Sequence, residues 1–94
     1  SQAYCKWQNL LPEQPQIYAL GVKEIWKVKN GKYKGREMCK FSIEDETYHI
    51  DEVVCFPNEW SGINHLVYDG NVVMLQTEKS RDGKTIIAKK AWQI

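Results

Sequence analysis

The chain has 94 residues, is 43% hydrophobic with four tryptophans, and carries a net charge of +1, which suits one small domain with a single core and excludes a second. No apolar run approaches the roughly 20 residues of a membrane helix, and the N-terminus lacks the basic start and apolar core of a signal peptide, so a soluble, cytoplasmic chain is expected. The opening Ser1 suggests a piece of a longer protein. Cys5, Cys39 and Cys55 are odd in number and show no CxxC spacing, which favours a reducing compartment and argues against a structural zinc.

The small net charge hides a segregation. Residues 21–40 hold seven cations, Lys23, Lys27, Lys29, Lys32, Lys34, Arg36 and Lys40, against Glu24 and Glu37. From Phe41 to Glu78 there is no Lys or Arg, and that block carries eight carboxylates. The remainder returns to basic through Lys79, Arg81, Lys84, Lys89 and Lys90 against Asp82. The two basic regions are the ones to place in space.

Residues 1–16, with Pro12 and Pro15 and no sustained period, read as a linker or strap whose Trp7, Leu10 and Leu11 pack back onto the domain. From Ile17 to Val28 the chain is β-branched and aromatic; Tyr18, Leu20 and Val22 share one parity and Ile25 breaks it. Such a shift predicts a bulge, with Gly21 tolerating the bend. Lys29 to Gly35 contains Asn30-Gly31 and a second glycine, and predicts a basic hairpin tip carrying Tyr33. In the second strand Cys39, Phe41 and Ile43 alternate toward the core, away from Met38, Lys40 and Ser42. After a turn over Glu44–Thr47, the third strand runs from Tyr48 to Phe56, where conflicting parity places a second bulge near Asp51 and Glu52.

Pro57 to Val67 is the helical candidate, with Pro57 in the first turn and Trp60, Ile63 and Val67 on one face. Asp69-Gly70 turns the chain, and strands over Asn71–Glu78 and Thr85–Ile94 follow, joined at Arg81–Lys84. Three strands, a helix and two strands make an all-β domain over residues 17–94.

This order resembles an OB-fold, the five-stranded Greek-key barrel that binds oligonucleotides, with one short helix between strands three and four. More closely, Gly21-Val22, the glycine-containing turn, Ile43-Glu44-Asp45-Glu46-Thr47 and Val53-Val54-Cys55-Phe56-Pro57 are similar to the OB domain of the bacterial DNA polymerase III alpha subunit, over roughly residues 17–92. The chain departs from that pattern at Tyr48 and near Thr77, where the family often has glycine, and by one extra residue between Asp45 and Phe56.

In an OB barrel the binding surface is the outer face of strands two and three, flanked by the loops after strands one and four. Both cationic segments fall on those loops. The expected nucleic-acid contacts are Lys27, Lys29, Lys32, Lys34, Arg36 and Lys40 on one side and Lys79, Arg81 and Lys84 on the other. Trp26, Tyr33 and Tyr48 are the candidate base-stacking platforms, Trp26 being equally compatible with a core position. Phe41, Phe56 and Trp60 read as core, and Trp92 as packed against the strap. No catalytic residue, metal site or cofactor is expected: the run from Glu44 to Glu52 reads as a solvated turn, and His49 and His65 lack a nucleophile at a defensible spacing.

The resemblance implies a non-catalytic domain that binds single-stranded DNA weakly and positions template strand in DNA replication. Polymerase chemistry would lie elsewhere in a parent chain, and the isolated domain would be a monomer away from membranes. An anticodon-binding domain of an aminoacyl-tRNA synthetase and a barrel used only for protein contacts remain open alternatives.

Overall fold

Five strands, β1 (Gln16–Lys27), β2 (Glu37–Glu44), β3 (His49–Cys55), β4 (Val72–Lys79) and β5 (Ile86–Gln93), close into a barrel in the order β1-β2-β3-β5-β4. The computed structural model describes residues 15–46 and 49–94. Only β3 and β5 run parallel, pairing Val53 with Ile86 and Val54 with Ile87. β1 closes the barrel because it serves two neighbours: Gln16–Ala19 pair with β4, and Ala19–Lys27 pair with β2. Strand order, closure and the helix between β3 and β4 are those expected of an OB-type barrel.

The curvature comes from two bulges that flank one residue of β2. On one side Leu20 opposes Ile43 and Lys23 opposes Phe41, so Gly21 and Val22 share the position opposite Ser42. On the other, Val53 opposes Phe41 and Ile50 opposes Ile43, so Asp51 and Glu52 share it too. An extra residue on each neighbour bends both strands around a regular β2. Gly21 is required by close approach: a Cβ there would run into Ser42 Oγ. A third irregularity, at Gln76/Thr77, gives β5 the extra residue Lys89.

The bulges settle the parity conflicts. Tyr18, Leu20, Cys39, Phe41, Ile43, Val53, Cys55, Val73, Leu75 and Ala88 all point inward and are buried. Ile50 packs against them across the β3 bulge. Each fully buried aliphatic or aromatic side chain contributes about 1.5–3 kcal/mol relative to exposure. Cys39 faces Cys55 across the ladder, and both are free thiols. Burial pushes them up to about 11 and about 12, so they serve as small apolar residues. Burial, and then the Asp45 carboxylate, push the Tyr18 hydroxyl up to about 12.

Helix α1 (Pro57–Ile63) packs against β2 and β5 with Pro57, Trp60 and Ile63 buried. The expected helix to Val67 is shorter: Ile63 leaves helical geometry at φ −117°, ψ 0°, and a 3-10 turn over Asn64–Leu66 follows. Val67 is buried nonetheless. Asn71 then ties the elements together. Its Nδ2 donates to Leu66 O at 2.7 Å and Gln93 Oε1 at 3.1 Å, while its Oδ1 accepts from Val72 N at 3.0 Å. Of the expected strap, residues 1–14, with Trp7, Leu10 and Leu11, lie outside the described residues, while Gln16 already belongs to β1; Trp92 is exposed.

Candidate nucleic-acid interface

The outer face of β1, β2 and β3 is laid out by register. Nearest the β1–β2 loop, Trp26 pairs with Met38; one step further, Glu24 pairs with Lys40, and Lys40 with Val54. Trp26, which sequence left between core and surface, is 38% exposed. Its apolar neighbour Met38 is half-buried beside it.

The β1–β2 loop is a formed element. Val28 N donates to Arg36 O at 2.9 Å and Gly35 N to Val28 O at 2.8 Å, closing the base. Within it, Lys34 N donates to Gly31 O at 3.2 Å and Arg36 N to Tyr33 O at 2.9 Å. Two successive turns thus form the hairpin tip, with Gly31 and Gly35 supplying φ of 88° and 84°. Lys27, Lys29, Lys32 and Lys34 are exposed. Tyr33 is turned inward, its ring 6.5 Å from that of Phe56, with Lys32 Nζ at 5.5 Å and Arg36 at 5.7 Å from its centroid. Arg36 also donates to Asn58 Oδ1 at 2.7 Å. Tyr33 and Arg36 therefore pin the loop to the start of α1, and of the two stacking candidates the structure describes, Trp26 and Tyr33, Trp26 is the open one.

The middle of the face carries the opposite charge. Lys40 Nζ lies 2.8 Å from Glu52 Oε1 and 3.1 Å from Glu24 Oε2. Its hydrogen bonds to Glu52 and then Glu24 raise its pKa, so it stays charged but is doubly compensated. Beside it His49 Nε2 lies 2.8 Å from Asp51 and His49 Nδ1 3.5 Å from Glu44. A depression of about 440 Å³ is lined here by Val22, Glu24, Lys40, Ser42, Asp51 and Glu52 among others. Lys23, the remaining cation of the first basic segment, turns toward the helix and donates to Val67 O at 2.9 Å.

The β4–β5 loop carries the second basic group. Ser80 N donates to Thr85 O at 2.8 Å, and Asp82 Oδ1 accepts from Ser80 Oγ at 2.6 Å and Lys84 N at 3.0 Å. Those donors, Ser80 first, hold the Asp82 carboxyl below its ordinary range. Arg81 and Lys84 are exposed; Lys79 is half-buried in the ladder opposite Ile86. Because β5 starts beside Val53 and runs parallel to β3, this loop leaves the barrel on the side of the acidic N-terminal half of β3. The two basic loops thus stand at separate ends of the face with carboxylates between them. Tyr48 lies outside the described residues.

Among the described residues no group of three or more His, Cys, Asp or Glu is placed to hold a metal ion, and no helix is long and apolar enough to cross a membrane. Comparison of the chain with protein-family models, with curated proteins and with solved structures gives no match.

Proposed function

We propose that this barrel is a non-catalytic binder of single-stranded nucleic acid, engaging a few nucleotides at the end of the β2–β3 face beside the β1–β2 loop. The observation that carries the reading is Trp26, exposed next to Met38 and beside the exposed lysines of a hydrogen-bonded loop. A base stacked on an aromatic ring contributes about 1–3 kcal/mol whatever its identity, and flanking lysines engage phosphates without reading sequence. The acidic middle of the face confines the footprint to that end. Single-stranded DNA, as part of a replicative polymerase III alpha-like chain, is the finer form of the proposal, and the resemblance of Gly21-Val22, Ile43–Thr47 and Val53–Pro57 supports it.

The test is binding of fluorescent oligo-dT across a salt series. With two or three phosphates engaged, log affinity should fall against log salt with a slope of about −1.4 to −2.1. Lys32→Glu with Lys34→Glu should weaken binding by about tenfold or more and flatten that slope. Binding that ignores both changes would overturn the proposal.

A further inference from the structure

On the far side of the barrel, β1, β4 and β5 carry an apolar patch that the core does not use. Register places Ile17 opposite Met74 and Met74 opposite Trp92, one unbroken row across three strands. All three point outward, at 53%, 36% and 43% exposure. The neighbouring row pairs Ala19 with the exposed Val72. Two inter-strand steps make the patch about 10 Å wide, the width of one helix. Small soluble domains seldom leave a continuous apolar surface of this kind without a partner, and Trp and Met dominate contact energies where partners dock.

Carboxylates rim the patch on one side, while the exposed Lys90, paired with Gln76 one row beyond Met74 and Trp92, stands on the other. A depression of about 640 Å³ is lined by Ile17 and Ala19 from β1 and by Glu44, Asp45 and Glu46 from the turn after β2. Carboxylates there repel phosphates and anionic lipid headgroups, so neither nucleic acid nor an acidic membrane surface suits it. Met74, at the centre of the row, is already paired on both sides, so an extended peptide cannot add there as a further strand. What fits is a segment that docks through side chains: apolar on one face, basic along one flank.

We propose that the β1–β4–β5 face docks an amphipathic helix of a partner protein, its apolar side chains on Ile17, Met74 and Trp92 and its basic flank over Glu44, Asp45 and Glu46. This surface is independent of the β1–β2 loop, so the inference does not rest on the nucleic-acid reading.

The probe is a pair of synthetic peptides of about 14 residues sharing one leucine stripe, one flanked by lysines and the other by glutamates. Each is titrated into the 94-residue chain and followed by backbone amide NMR. The lysine peptide should shift Ile17, Met74 and Trp92 and bind about tenfold or more tighter than the glutamate peptide. Glu44→Gln with Glu46→Gln should narrow that difference to about twofold, and Met74→Lys, at an outward position, should abolish binding with the spectrum otherwise folded. Equal binding of the two peptides, no shift with either, or shifts confined to residues 26–38 would overturn the proposal. Patch signals that move on dilution would assign the face to a second copy of the chain. Patch signals that move on removal of residues 1–14 would assign it to that segment. Either result would overturn the proposal as well.

Discussion

The two halves of the outer β2–β3 face are built from the same strands and carry opposite character. Toward the β1–β2 loop, Trp26 and Met38 lie beside the exposed lysines of a hydrogen-bonded loop. At the bulges, Glu24, Asp51 and Glu52 gather around Lys40, which two carboxylates compensate. A bulge adds a residue without adding a partner, so each one near Ser42 brings an extra side chain onto the face, and those extra side chains include acids. Charge at a site is therefore set by register as much as by composition.

The strongest way to break the comparison is to remove the floor that both halves share. Phe41 is fully buried between the bulges. Phe41→Ala should cost about 3–5 kcal/mol in urea unfolding and abolish the structure of both halves together. Trp26→Ala should separate them, losing about 1–3 kcal/mol of oligo-dT affinity while leaving the unfolding midpoint nearly unchanged. Gly21→Ala tests the bulge itself. The new Cβ meets Ser42 Oγ, so the change should cost about 1 kcal/mol, and adding Ser42→Ala should recover most of it. Lys40→Met sharpens the contrast from the other side: because Glu24 and Glu52 already hold that charge, oligo-dT affinity should change by no more than about twofold.

The smallest effect concerns the second basic loop. The Asp82 carboxyl is depressed by Ser80 and Lys84, so its contribution is present above the ordinary aspartate range and is lost as pH falls through the lowered value. The Lys84 amide resonance should follow that titration in an acid series, with no matching transition in the β1–β2 loop.

Much of the barrel was legible in the sequence because alternation carried it. Cys39, Phe41 and Ile43 face the core as their spacing predicts, Gly21 marks the first bulge, and the second lies at Asp51 and Glu52 where parity fails. Trp60, Ile63 and Val67 are buried on their helical spacing even though the helix gives way to a 3-10 turn at Asn64. The face was less legible. Lys40 looks like one more cation of a basic run until two bulges bring Glu24 and Glu52 to it from different strands. Tyr33 sits among lysines in sequence but packs toward Phe56, 23 residues away. Asn71, read only as the start of a strand, is the buried tie between Leu66 and Gln93. Each of these depends on long-range register, to which local pattern is blind.

An NMR titration of the 94-residue chain with short oligo-dT at low and then raised salt tests the central claim most directly. Amide shifts over residues 26–38, with the Trp26 indole signal moving and the response shrinking as salt rises, are the predicted result. Shifts centred on Lys40, Asp51 and Glu52, or none at millimolar DNA, would contradict the division of the face.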